Sequence, residues 1–218
     1  MKFNELKELI LDGECSTIEF KRKIPSLDKI AKAMSAFANT IGGYLIIGVD
    51  DYGSLVGVHS EKSDIDYIQQ VCMFNIEPPI EPEIEIVNHK TKEIIVVYIS
   101  ESNQKPHFVM SEDEDSQYNK RVYIRVGNKS VVASREMVRL LSSIKKDKPL
   151  SLVIGDKEKR LFKFLDENEK ATVMDFANLV NISRRRAERL LIRLVRAGVI
   201  QIHIDSNSDY FTLVENIK

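Results

Sequence analysis

Residues 35–50 read SAFANTIGGYLIIGVD and contain the end of a helix, a tight turn and a buried strand. Tyr44 begins an apolar run of strand length, which is typical of a strand buried on both faces. The Gly42-Gly43 pair stops the preceding helix. That helix starts after Ser26, a favoured N-cap, and its apolar residues recur at spacings of three and four: Leu27, Ile30, Met34, Phe37 and Ile41.

Helical and strand patterns alternate on both sides of this stretch. Before it, we predict a helix from residue 4 to Gly13 and a strand at 17–21 with Ile18 and Phe20 facing the core. After it, we predict further elements from periodicity and turn residues: a hairpin strand at 55–58, a helix at 63–74, strands at 84–87, 94–99 and 121–126, and a helix capped by Ser134 that runs to Leu141. The first domain is therefore predicted to be α+β with a mixed sheet.

The C-terminal quarter has a different pattern. Three short helices are predicted at 157–165, 173–180 and from Ser183 to Gly198, followed by strands at 200–204 and 210–214. The third helix directs one apolar stripe inward: Ala187, Leu190, Leu191, Leu194 and Val195. Helix, helix, helix and hairpin in this order predict a winged helix-turn-helix domain.

A charged, apolar-poor segment closed by Pro149 separates the two patterns and is typical of a linker. We therefore predict a first domain at residues 1–144, a linker at 145–154 and a small second domain at 155–218. The acidic cluster at 112–115 is interpreted as a solvated loop.

Composition excludes several classes of protein. The formal net charge is −1, so a nucleic-acid interface has to come from local clustering of basic residues. Cys15 and Cys72 form neither a close metal-ligand pair nor a disulfide framework. No stretch reaches the length of about 20 apolar residues that a bilayer requires. We expect a cytoplasmic protein.

Residues 183–196 hold six arginines and one glutamate, whereas a solvated helix face normally mixes both signs. The C-terminal domain resembles the winged helix-turn-helix domains of bacterial transcriptional regulators. Many such domains mediate protein contacts or dimerisation instead, so the arginine cluster rather than the fold predicts that the third helix contacts DNA. Guanidinium groups can donate paired hydrogen bonds to the edge of guanine or to phosphate oxygens. The predicted nucleic-acid-binding residues are Ser183, Arg184, Arg185, Arg186, Arg189 and Arg193.

Three stretches of the first domain resemble the Schlafen AlbA-2 family, also described as DNA-binding or divergent AAA domains: GECSTIEFK at 13–21, residues 35–50, and YIRVG at 123–127. The resemblance spans about residues 5 to 141. It implies a nucleic-acid-binding domain that is commonly joined to a winged helix. One branch of the family contains metal-dependent endoribonucleases, and their carboxylate positions match Glu14, Glu19 and Asp50. These three residues would be catalytic and would bind Mg²⁺ or Mn²⁺, and Lys21 would contact a phosphate of the substrate.

Two interpretations of these carboxylates stay open. In the first, the carboxylates are metal ligands. Asp51 follows Asp50, which leaves the third ligand ambiguous by one residue. The resembling nucleases use a duplicated core, which a single copy could imitate only as a homodimer. Alternatively, Glu14 and Glu19 pair with Lys21, Arg22 or Lys23, and Asp50 starts a turn.

The leading hypothesis is a homodimeric DNA-binding transcriptional regulator without a cofactor, with RNA as a further possible partner. Its alternatives are a metal-dependent endoribonuclease and a regulator whose first domain senses a small ligand.

Overall fold

The computed structural model describes residues 1–112, 118–144, 154–205 and 208–214. The chain divides into two compact units, Met1–Ala133 and Ser134–Lys218. We call them unit 1 and unit 2 and describe each by itself. No helix in the described part of the chain has the length and apolarity needed to cross a membrane.

Unit 1 is a mixed α+β fold, as the sequence predicted. Three helices and eight strands follow one another along its described residues: α1 (Phe3–Asp12), β1 (Ile18–Lys21), α2 (Leu27–Asn39), β2 (Gly43–Ile47), α3 (Glu61–Phe74), β3 (Ile76–Glu77), β4 (Glu83–His89), β5 (Lys92–Ile99), β6 (Phe108–Glu112), β7 (Tyr118–Val126) and β8 (Lys129–Val132). Most predicted helices and strands are confirmed within a few residues. The short strands β3, β6 and β8 were not foreseen.

The first sheet has the strand order β1-β2-β5-β4. It is mixed, because β1 runs parallel to β2 while β5 pairs antiparallel with both β2 and β4. Both faces are covered: Leu45 and Ile47 lie in a core cluster with α2 and α3, and Ile46 lies in a second cluster with α1. Burial on two sides explains the continuous apolar run of β2.

The glycine pair between α2 and β2 is required by close packing. A Cβ on Gly43 would lie 2.5 Å from the Thr17 carbonyl oxygen and 2.6 Å from the Phe37 ring. Gly42 has a φ of +79°, which L side chains rarely adopt. The pair therefore lets β2 turn back against the helix that precedes it.

The second sheet of unit 1 is antiparallel and has the order β3-β6-β7-β8. The last residue of α2, Asn39, ties this sheet to the helix. Its Nδ2 donates to the carbonyl oxygens of His107 and Tyr123 at 2.9 Å, and its Oδ1 accepts from the His107 amide at 2.7 Å. His107 is buried, and its ring nitrogens contact the Pro78 carbonyl and the Ser102 hydroxyl. His107 and its backbone thus have a structural role.

Two details of the first domain differ from the sequence prediction. The predicted hairpin strand at 55–58 does not form; only the single bridge Val49–Leu55 is present, because β1 and β5 already occupy both edges of β2. Ile41 lies beyond the end of α2 and is 59% exposed, so it is not part of the apolar stripe.

Unit 2 contains four helices and a two-stranded antiparallel sheet within its described residues: α4 (Arg135–Ile144), α5 (Asp156–Asn168), α6 (Val173–Leu179), α7 (Arg184–Arg196), β9 (Ile200–His203) and β10 (Tyr210–Leu213). One core cluster joins α5, α6, α7 and the hairpin around Phe176 and Phe211. Thr172 caps α6 with a hydrogen bond from the Asp175 amide.

Helix α4 packs on α7 and belongs to unit 2, whereas the sequence analysis assigned it to the first domain. Its N-cap was predicted correctly, since the Ser134 hydroxyl accepts from the Met137 amide at 3.0 Å. The same hydroxyl contacts the buried Asp209 carboxylate, which lies just before β10. Of the predicted linker 145–154, residues 145–153 lie outside the described part, as does most of the acidic cluster 112–115.

Candidate nucleic-acid interface and the carboxylate cluster

Two of the three predicted carboxylate ligands serve as acceptors for nearby backbone amides. Glu14 accepts from the Phe20 amide at 2.8 Å. Asp50 accepts from the Tyr52 and Ser54 amides at 3.0 and 2.8 Å and thereby closes a turn. This bonding pattern is that of an Asx turn, in which an aspartate satisfies local backbone donors. Asp50 therefore follows the alternative interpretation of the sequence.

Glu19 is neutralised by two cations. One of its oxygens contacts the Arg125 guanidinium, and the other lies 2.7 Å from the Lys21 Nζ. Arg125 is fully buried, donates to the Cys15 carbonyl and the Ser130 hydroxyl, and lies 4.7 Å above the Phe37 ring. The partner Lys21 was among the sequence alternatives for Glu19, whereas the partner Arg125 was missed.

The predicted metal site does not fit this arrangement. Residues Glu14, Glu19 and Asp50 do not converge: across the described ranges no group of three or more His, Cys, Asp and Glu side chains is placed to hold a metal ion. A hard cation needs several free oxygen ligands in one place. Lys21, predicted to bind phosphate, pairs with Glu19 and donates to the Phe20 carbonyl.

The Arg125 network also affects Cys15. Partial burial by itself raises the pKa of this thiol, but hydrogen bonds from Thr17 and Ile18 and the positive charge of Arg125 outweigh it, so the pKa is lowered. Cys72 is buried in the α3 packing, and burial raises its pKa to about 12. The pKa values of the two thiols are therefore shifted in opposite directions.

Helix α7 carries four exposed arginines, Arg185, Arg186, Arg189 and Arg193, which we call the α7 arginine face. Three of them recur every four residues, so they form one stripe along about 12 Å of helix. None has a carboxylate partner among the residues that the structure describes. These side chains are free to meet an anionic ligand.

Arg184 is placed differently from the other predicted arginines. Its guanidinium lies 3.2 Å from the Glu136 carboxylate of α4, although 59% of the side chain stays exposed. Glu188, one turn further, is buried and contacts Arg139 of α4. Ile192, one more turn on, is also buried. Helix α4 therefore covers a second face of α7 that the sequence analysis treated as solvent-exposed.

Sequence reasoning missed this cover for an identifiable reason. It assigned to the α7 core five residues, all of which are buried or partly buried in the structure, but Glu188 and Ile192 were left out. The spacing of Arg184, Glu188 and Ile192 is that of one helix stripe, and the apolar Ile192 on it was the available signal. Ser183 caps α7 without a side-chain hydrogen bond and is exposed.

Two solved structures resemble part of the chain. A protein of Corynebacterium diphtheriae is 19% identical with a TM-score of 0.45; the match covers 69% of this chain and 34% of that one. The N-terminal domain of a RecG-related protein from Nitrosomonas europaea is 25% identical with a TM-score of 0.43; the match covers 55% of this chain and 86% of that one. The chain thus spans about a third of the length of the Corynebacterium protein.

The family model gives a more direct result. The model of the Schlafen, AlbA_2 domain matches residues 14–134. These residues include β1, α2, β2 and β7, the strand that carries Arg125, and they end one residue after unit 1. The match covers more than half of the 218 residues, and the chain belongs to the Schlafen AlbA_2 family.

Proposed function

We propose that this chain is a DNA-binding transcriptional regulator whose helix α7 contacts duplex DNA. The observation that carries the proposal is the α7 arginine face. Four exposed guanidinium groups lie close together without neutralising carboxylates in the described part of the chain. Such a cluster raises the local positive potential although the formal net charge of the chain is −1.

The order of elements in unit 2 supports this assignment. Helices α5, α6 and α7 are followed by the hairpin β9–β10, which is the order of a winged helix-turn-helix, and α7 is the third helix. In that arrangement the recognition helix enters the major groove with its N-terminal residues near base edges. Arg185 and Arg189 lie in the first half of α7.

The N-terminus of α7 adds a second favourable feature. Ser183 leaves its hydroxyl free of any cap bond, and the first turn contains no acidic residue. Unsatisfied amides and the helix dipole favour a phosphate at such an end. Arg184 lies beside it and stays 59% exposed, so its ion pair with Glu136 can open towards DNA.

Family membership supports nucleic-acid binding by unit 1, which would add affinity or dimerise the protein. The alternative function, a metal-dependent RNA endonuclease, requires Glu14, Glu19 and Asp50 to converge on a metal ion, and the described residues contain no group of carboxylates placed to do so. DNA binding needs no such convergence, and it is therefore our preferred function.

The test is duplex binding by the full chain with Arg185→Ala and Arg189→Ala combined. We expect roughly tenfold or weaker affinity for a labelled duplex, because both side chains contact DNA directly. The slope of log affinity against log salt should fall by about 0.9 for each lost phosphate contact. Fluorescence anisotropy at several salt concentrations measures both quantities.

The matched control is Lys159→Ala combined with Arg160→Ala, which removes two exposed basic groups from α5 in the same unit. This control should keep the affinity of the unmodified chain. Equal loss in both double variants, or no loss in either, would contradict a specific role for α7.

A further inference from the structure

Unit 1 contains an open cleft of about 650 Å³ with a basic lining, whereas the proposed function assigns no residues to nucleic-acid binding by this unit. Its walls come from the end of β1 and the segment after it, from the first two turns of α2, and from β8 with the turn before it. The lining includes six basic residues and one acidic residue: Lys21, Arg22, Lys23, Lys29, Lys32 and Lys129, with Glu19.

The single carboxylate does not neutralise this lining. Both oxygens of Glu19 are already engaged, one by buried Arg125 and one by Lys21. Arg22, Lys23, Lys29 and Lys129 are exposed and have no ion-pair partner within the described ranges. An ordinary solvated surface mixes both signs of charge, whereas the lining of this cleft has an excess of positive charge. The low dielectric of the protein wall focuses the resulting positive potential in the cleft.

The lining chemistry selects phosphate groups. Among the described lining residues there is no aromatic side chain on which a base would stack, and the remaining contacts are aliphatic, from Ile24, Pro25, Ala33 and Val131. Lysine ammonium groups are compact point charges with three donors, suited to phosphate oxygens approached from several directions. Lys29 lies in the first turn of α2 together with Asp28, which is not among the residues that line the cleft.

The size of the cleft limits the ligand. A volume of 650 Å³ is in the range of small-molecule and cofactor sites and holds one or two nucleotides, so a double helix does not enter it. We propose that this cleft binds a chain of consecutive phosphates, presented either by a small polyphosphate or by a single nucleic-acid strand. The binding does not depend on α7 and is largely independent of base identity.

Two probes distinguish these sources of phosphate. Isothermal titration calorimetry of the full chain with inorganic tripolyphosphate measures the affinity for a small polyphosphate. Fluorescence anisotropy with a labelled oligo(dT) measures the affinity for a single nucleic-acid strand. The cleft variant combines Lys29→Ala with Lys129→Ala. We expect it to weaken binding of the recognised probe by roughly tenfold, and for a strand to lower the salt slope by about 0.7 for each lost contact.

The control combines Lys7→Ala with Lys62→Ala, two exposed lysines on α1 and α3 of the same unit. It should leave both affinities unchanged, and thermal melting should show that all variants are folded. Loss of tripolyphosphate binding alone assigns a small ligand, loss of oligo(dT) binding alone assigns a strand, and loss of both assigns a shared phosphate site. If neither probe binds, or if the cleft and control variants bind equally, the proposal is overturned.

The Arg185→Ala, Arg189→Ala variant separates this proposal from the DNA-binding function. It should bind tripolyphosphate as tightly as the unmodified chain even where its duplex affinity is lost. If the α7 variant instead loses tripolyphosphate binding while the cleft variant keeps it, the phosphate site lies on α7 and the cleft assignment is wrong.

Discussion

Glu19 in unit 1 and Glu188 in unit 2 are both nearly buried and both paired with an arginine, yet their surroundings differ. Glu19 has a cation on each oxygen, and its partner Arg125 is itself fully buried. Glu188 contacts only Arg139, which is 46% exposed, and its Oε1 is buried without a hydrogen-bond partner among the described residues. In each pair one buried atom lacks a hydrogen-bond partner among the described residues, Arg125 Nε in the first and Glu188 Oε1 in the second, but both oxygens of Glu19 are engaged by cations.

This difference matters because a buried charge is costly when its partner is removed, while replacement of a whole buried pair by apolar groups is often neutral. Arg125 cannot reach water if Glu19 is lost. Arg139 can, since nearly half of its side chain is already exposed. Removal of Arg125 should therefore destabilise unit 1, whereas an apolar replacement of Glu188 should not destabilise unit 2.

The largest effect is expected from Arg125→Met. The change leaves Glu19 nearly buried with one cation and removes the hydrogen bonds to Cys15 and Ser130. We expect the stability of unit 1 to fall by about 3–5 kcal/mol. Hydrogen exchange of β2 amides, followed by mass spectrometry, measures this loss in unit 1 alone.

The control for Arg125→Met is Arg121→Met, the same substitution at an exposed position on the same strand. Exchange rates in β2 should stay unchanged in this control. Similar rates in Arg125→Met and the unmodified chain would mean that the buried pair contributes nothing.

A smaller effect of opposite sign is expected from Glu188→Leu. The leucine removes an unpartnered buried oxygen and lies one turn from buried Ile192. Hydrogen exchange of α7 should be unchanged or slower, corresponding to a gain of about 1 kcal/mol. A loss of more than about 2 kcal/mol would contradict this expectation and would show that the Arg139 contact is essential to unit 2.

The smallest effect is expected from Lys21→Met. Lys21 keeps 28% of its side chain exposed, and solvent screens its attraction to Glu19. Exchange in β2 should indicate a loss below about 1 kcal/mol. A loss as large as that of Arg125→Met would assign the neutralisation of Glu19 to both cations equally.

These contacts also show what the sequence can and cannot predict. The stripe of α2 and the apolar run of β2 are local patterns, because a helix or strand repeats within a few residues, and both were predicted. The Glu19–Arg125 pair joins residues 106 positions apart, and no local pattern contains that information. The burial of Glu188 cannot be predicted from the pattern of α7 alone, because it results from packing against α4.

The candidate nucleic-acid site shows the same limit. Arginine clustering on α7 was visible in the sequence because six arginines fall within residues 183–196. The basic cleft was not visible, since its lysines come from three separated segments that only the fold of unit 1 brings together. A carboxylate match by position likewise did not predict that Asp50 would bind its own turn.

Asn39 has a consequence for the biosynthesis of the protein. Its amide bonds reach backbone groups 68 and 84 residues further along the chain. At ribosomal rates of about 5–20 residues per second, Tyr123 is added roughly 4–17 s after Asn39. During this interval the nascent α2 lacks the contacts that it makes with the second sheet. Closure of unit 1 is therefore a late event in translation.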